Sequence, residues 1–102
     1  MRDYVQSAID ELRRYHLPKD VRDSYAWDTS HTLSLTICRQ CGIATLAELQ
    51  DQPAPEEMHC QFDQHGRITI PQVVMHFLDW NVHDQIKASP SHKGHAITLA
   101  KR

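Results

Sequence analysis

Two sets of side chains have the type and spacing to do chemistry. In Asp10-Glu-Leu-Arg-Arg14 and in Asp63-Gln-His-Gly-Arg67 an arginine follows an aspartate by four residues, and a proline, Pro18 or Pro71, stands four residues further on. A guanidinium is a flat fork of donors that can bridge phosphates, take a carboxylate, or bond the O6 and N7 edge of guanine. Within the chain, the competitor for each fork is its own aspartate across the turn. The second set is Cys38-Arg-Gln-Cys41-Gly42. Two thiolates separated by two residues and followed by glycine form half of many tetrahedral zinc sites, because the turn aims both sulfurs at one ion. The site needs two more ligands, for which Cys60 and His59 qualify by type. No βαβ unit of the thioredoxin kind surrounds the pair, so metal is expected ahead of redox chemistry. The plain alternative is two half-exposed cysteines in a turn.

The other polar candidates carry less. Trp27 and Trp80 are expected to seal the core rather than stack a ligand. His92-Lys-Gly-His95 reads as a solvated turn before it reads as a metal site. Asp10 and Asp63 read as turn formers rather than as an acid/base pair. The chain has no nucleophile elbow, phosphate loop or paired-carboxylate pattern, and enzyme activity is not expected. Its eight histidines could make surface charge respond to pH near ~6–7.

These residues are positioned by a duplication. A single ungapped offset of 53 residues lays Asp10 on Asp63, Arg14 on Arg67, Pro18 on Pro71, Val21 on Val74, Trp27 on Trp80 and Thr45-Leu46-Ala47 on Thr98-Leu99-Ala100. Ile9 with Phe62, Leu17 with Ile70 and Leu33 with Ile86 follow the same register. Each copy reads β-β-α-β-β. Extended stretches are expected at 4–9 and 58–62, then at 14–17 and 67–70. The prolines suit the first position of short helices at 19–27 and 72–80, where a missing N–H costs nothing. In the second helix Val74, Phe77 and Leu78 are expected to share the core face. Residues 31–37 alternate as a half-buried strand does, 84–88 more weakly, and glycine-containing turns at 39–42 and 91–94 lead to last strands at 43–47 and 96–100. One copy is too short to bury a core alone, whereas two can. The expected domain is therefore 1–102, with halves at 4–49 and 58–102 and an exposed Pro53/Pro55 tether at 50–57.

The second copy resembles the AbrB/SpoVT/MazE superfamily. Phe62-Asp-Gln-His-Gly-Arg-Ile-Thr-Ile-Pro71 is similar to that family's aliphatic-Asp, turn, Gly-Arg, alternating strand and proline. Leu78-Asp-Trp-Asn-Val-His-Asp84-Gln-Ile and Lys93-Gly-His-Ala-Ile-Thr-Leu-Ala-Lys101 are similar to its later elements. The first copy keeps the pattern in Ile9-Asp-Glu-Leu-Arg-Arg14-Tyr-His-Leu-Pro18, with Arg13 in place of Gly66 and His31 in place of Asp84. Ordinary members interleave the hairpins of two chains. The resemblance thus implies an α+β, mainly β chain that carries both halves itself, as a swapped-hairpin pseudo-dimeric barrel. It also implies a DNA-binding regulator contacting DNA through Arg14 and Arg67, with Arg13, Lys19 and Arg22 adding phosphate contacts. A two-fold pair of forks would suit a pseudo-palindromic operator. Of two basic positions after the proline in AbrB, the first copy keeps Arg22, followed by Asp23; the second has Met75 and His76. An antitoxin or other protein-interaction module on the same barrel is the alternative, as is a barrel stabilised by zinc at Cys38 and Cys41.

Bulk composition sets the outer bounds. A net charge of −2 argues against a basic coat for nucleic acid or membrane, though not against a local basic patch. Three cysteines, an odd number, do not make a disulfide framework. No apolar run approaches the ~20 residues that cross a bilayer, and the first residues hold no apolar signal region. A cytoplasmic location is expected.

Overall fold

A computed structural model of the chain describes residues 5–48, 58–91 and 95–101. Tyr4, the 50–57 tether and His92, Lys93 and Gly94 lie outside the described residues. The first copy contributes β1 (Val5–Ala8), β2 (Arg14–His16), α1 (Lys19–Ser24), β3 (Leu33–Cys38) and β4 (Ile43–Glu48). The second contributes β5 (Met58–Cys60), β6 (Arg67–Thr69), α2 (Gln72–Leu78), β7 (Gln85–Pro90) and β8 (Ala96–Lys101). The β-β-α-β-β order thus holds in both.

The strands form a six-stranded antiparallel sheet, ordered β1-β7-β8-β4-β3-β5, and a two-stranded ribbon of β2 and β6. Only β3–β4 and β7–β8 pair within one copy. The pairs β1–β7, β3–β5, β4–β8 and β2–β6 all join the two copies. The registers obey the 53-residue offset. Thr45 faces Thr98 and Tyr15 faces Ile68, each pair consisting of one position and its own duplicate. Val5 opposite Ala88 is the duplicate of Met58 opposite Leu35. A pseudo-two-fold axis therefore passes through the Tyr15–Ile68 and Thr45–Thr98 pairs, and each edge strand belongs to the copy opposite its neighbour.

One core serves both copies, and it is filled by duplicated positions. Ile9 and Phe62, Leu17 and Ile70, Val21 and Val74, Trp27 and Trp80, Leu33 and Ile86, and Leu46 and Leu99 are all buried. The tryptophans are 2% and 3% exposed, so they seal the core as expected. Tyr15 is buried beneath the ribbon and its hydroxyl donates to the Ile86 carbonyl at 2.8 Å, which satisfies its one polar group. Desolvation there raises its phenol well above the ordinary range.

Both helices begin where expected, at Lys19 and Gln72, and stop short of their expected ends for the same reason in each copy. Pro18 and Pro71 occupy the N-cap rather than the first helical position, and the Pro18 carbonyl accepts from Val21 and Arg22 N–H at 3.1 and 3.0 Å. At the other end Ala26 and Asp79 turn left-handed (φ 57° and 56°), and the N–H groups of Trp27 and Trp80 reach back to the carbonyls of Arg22 and Met75. This is a Schellman-type stop, which removes the tryptophans from the helices and drops their rings into the core. The core face of α2 is also displaced from the expected one. Val74 and Met75 are buried and Leu78 half-buried, whereas Phe77 is 41% exposed. In a seven-residue helix anchored at Val74, Phe77 faces outward, where the Arg39 guanidinium and the His76 ring lie against it.

Candidate nucleic-acid interface and the cysteine turn

The arginine pair sits on two matching turns. Asp10 Oδ1 accepts from the N–H groups of Leu12 and Arg14 at 2.9 and 2.7 Å, and Asp10 Oδ2 accepts from Arg14 Nε at 2.7 Å. Asp63 makes the same bonds, with His65 and Arg67 N–H at 2.8 and 3.0 Å and Arg67 Nε at 3.1 Å. An aspartate bonded to the N–H two residues on is an Asx-turn, so both aspartates form turns, as expected. They also hold the arginines. Burial nudges the Asp10 carboxyl upward, but the Arg14 N–H and guanidinium and the Leu12 N–H outweigh it and keep it below its usual value. For Asp63 the Arg67 N–H is the leading cause of the same shift.

The ribbon register decides where the forks point. Tyr15 and Ile68 face the core, so their neighbours along each strand, Arg14, His16, Arg67 and Thr69, lie on the outer face. Arg14 is opposite Thr69 and Arg67 opposite His16. The arginines are thus diagonal neighbours across the pseudo-axis, with Cα atoms about 7–8 Å apart. The side chains of Arg14 and Arg67 are 30% and 27% exposed. His16 and Thr69 are exposed beside them. Alternation along β2 makes His16 and Arg14 neighbours in sequence terms; their pairing with Arg67 and Thr69 depends on contacts between the copies that no local pattern carries.

The three remaining basic candidates fall in different places. Arg13 has a left-handed backbone (φ 63°) where Gly66 has φ 78°, and its Nε donates to the Ile70 carbonyl at 3.3 Å. Arg22 donates Nε to the Leu17 carbonyl at 2.9 Å. Its guanidinium lies directly on Gly66, where a Cβ would come within 2.5 Å of Cζ. Leu17 and Ile70 are duplicates, so two arginines at non-equivalent positions cap equivalent carbonyls. Arg13, Arg14, Arg22 and Arg67 therefore surround one ribbon, although Arg13 and Arg22 are spent partly on backbone. Lys19 stands apart, exposed and paired with Asp23 at 2.9 Å.

The cysteine turn brings together the two sulfurs expected as a metal half-site. Cys38, at the end of β3, and Cys41, in the turn to β4, are paired as a disulfide. The proposed further ligands are remote. Cys60 pairs with Leu33, five residues along β3 from Cys38, a span of about 17 Å at strand rise. Its thiol packs against the core, and desolvation raises it to about 11. His59 is exposed, opposite Ser34. Among the described residues no group of three or more His, Cys, Asp and Glu is placed to hold a metal ion. Arg39, inside the turn, lies 3.8 Å from the centroid of the Phe77 ring, a cation–π contact that joins the cysteine turn to α2.

No protein-family model and no curated protein matches the chain. Among solved structures it is similar to the solution structure of PHS018 from Pyrococcus horikoshii, with a TM-score of 0.52 and 11% identity over 98% of this chain and 88% of that one. At that identity the likeness speaks to the fold alone. No helix among the described residues is long and apolar enough to cross a membrane.

Proposed function

We propose that the chain is a small DNA-binding regulator of the AbrB/SpoVT type, a swapped-hairpin barrel whose two halves are carried in one polypeptide. The observation that supports this reading is the outer face of the β2–β6 ribbon, where Arg14 and Arg67 project together beside the pseudo-two-fold axis. An antiparallel ribbon fits the major groove, and forked donors on its exposed face meet phosphates or guanine edges. The closeness of the two forks changes the operator expected. Half-sites one helical turn apart lie about 34–36 Å from each other, far beyond the reach of arginines about 7–8 Å apart. The pair would instead read two or three adjacent base pairs at the centre of a site, with Arg13 on the rim.

A fluorescence-anisotropy titration against the gene's own upstream DNA, at two salt concentrations and beside an unrelated duplex, tests the reading. Salt-dependent binding with preference for that DNA is expected. The R14A/R67A variant should lose about 2–6 kcal/mol of it, since each bidentate contact is worth ~1–3 kcal/mol. Binding unchanged in the double variant would remove the arginines from the interface.

A protein partner, of the antitoxin or another kind, is the second reading, and a separate observation favours it. Val73 and Phe77 on α2 are 44% and 41% exposed, whereas their duplicates on α1 are the polar Asp20 and Ser24. Replacing the pair with the α1 residues, V73D/F77S, should abolish association with a genomic neighbour if such a complex forms.

A further inference from the structure

The Cys38–Cys41 disulfide stands apart from the arginine ribbon and from the symmetry that organises everything else. The duplicate positions are Ser91 and Gly94, so the cystine is a feature of the first copy only. Its sequence separation is three residues, one of the shortest loops a disulfide closes. Such a loop constrains the unfolded chain little, and the bond contributes correspondingly little to stability. Its surroundings are those of a reactive group. Cys41 is exposed while Cys38 is half-buried. The backbone N–H of Cys41 donates to Cys38 Sγ at 3.2 Å, a contact that favours negative charge on that sulfur. Both cysteines border a groove of about 520 Å³ on the outer face of the sheet, walled by Ile43, Thr45, Ser89 and Thr98. Apolar and hydroxyl-bearing walls of this kind can hold a short extended thiol-bearing segment.

We propose that Cys38–Cys41 is a redox-active disulfide that exchanges with dithiols, with Cys41 as the sulfur attacked and Cys38 as the leaving group. A thiolate of the dithiol, lodged in the groove, attacks Cys41 Sγ. The sulfur–sulfur bond breaks, its electron pair passes to Cys38 Sγ, and that thiolate, held by the Cys41 N–H, takes a proton from water. The second thiolate of the reductant then attacks its own sulfur in the mixed disulfide. Cys41 leaves as a thiolate and is protonated, and the reductant departs as its cyclic disulfide. Two electrons and two protons have passed from the dithiol to the protein.

The test uses the full chain with Cys60 replaced by serine, so that only the pair reports. Native protein is treated with dithiothreitol, alkylated and weighed by mass spectrometry, and the sulfur attacked is identified by trapping its mixed disulfide with glutathione. Reduction in the folded state, with reoxidation once the dithiol is removed, is expected. Brief exposure of the oxidised protein to glutathione, quenched with acid and alkylated, should leave the mixed disulfide on Cys41 rather than Cys38 by about tenfold, read from the peptides on either side of Arg39 and in line with the greater access of Cys41. Reduction seen only after unfolding in urea would overturn the proposal, and so would glutathione found equally on both sulfurs or mainly on Cys38. Protein purified with one zinc per chain on the reduced pair would overturn it in favour of a metal site. Circular dichroism of the oxidised and reduced protein separates exchange in the folded state from loss of fold.

Discussion

Ala26 and Gly66 show how the duplication distributes backbone strain. Four non-glycine residues in the described chain have positive φ, and Ala26 is the one without a polar side chain. A left-handed alanine costs about 1 kcal/mol relative to glycine. Because Ala26 is exposed and ends α1 in the same way that Asp79 ends α2, A26G should stabilise the fold by about 1 kcal/mol and raise Tm by about 4–8 °C, read by thermal denaturation. The reverse change at Gly66 should do harm. Its φ of 78° is unfavourable for alanine, and the added Cβ would collide with the Arg22 guanidinium that caps Leu17. G66A is expected to cost at least about 2 kcal/mol, and the added R22A change should recover part of that loss. Strain of this kind was half visible in the sequence. Gly66 marks its turn, whereas Arg13 at the same point gives no local sign that the backbone is left-handed.

The two Asp–Arg turns make the ribbon an acid-sensitive element. Asp10 and Asp63 have carboxyls held below the usual value in the folded chain by N–H donors and their arginines. A group whose folded pKa is lowered stabilises the fold above its unfolded pKa, and the contribution disappears as pH falls through the folded one. Thermal stability should therefore be level above about pH 5 and fall below about pH 4. D10N/D63N keeps a side-chain oxygen for the turn but loses the charge. It should cost ~0.5–1 kcal/mol per site at neutral pH, the scale of partly exposed ion pairs, and flatten the acid decline. At this level the sequence was informative. Asp, glycine or arginine, the alternating strand and the proline recur at fixed spacing, and that spacing located β2, β6 and both helices to within a few residues. Phe77 and the cysteines were not legible. The helical period placed Phe77 inward because nothing local announces that Arg39 covers it from another copy, and the spacing of Cys38 and Cys41 suits a metal or a disulfide equally.

The whole molecule is an interleaving of two halves, and its chemistry makes the halves unequal partners. Four of the six strand pairings join the copies, so separation would strip hydrogen bonds from both edges of each half and expose one shared core. Fragments 1–52 and 53–102 should each be unfolded, or self-associate weakly, and should fold when mixed. The carbonyl caps then decide which pairing wins. In the native chain Arg22 caps Leu17 while resting on Gly66, and Arg13 caps Ile70 from the opposite turn. A pair of first halves would bring Arg13 of one and Arg22 of the other to the same Leu17 carbonyl, two cations competing for one acceptor in a space that only glycine leaves open. A pair of second halves would have neither arginine and would leave the Ile70 carbonyls without that cap. The mixed pair alone gives each carbonyl one guanidinium. Sedimentation equilibrium of the separate and mixed fragments should therefore show the heterodimer as the dominant species. First halves that self-associate as tightly as the mixture would show that the arginine caps do not govern pairing, and that the fusion of the halves has some other physical basis.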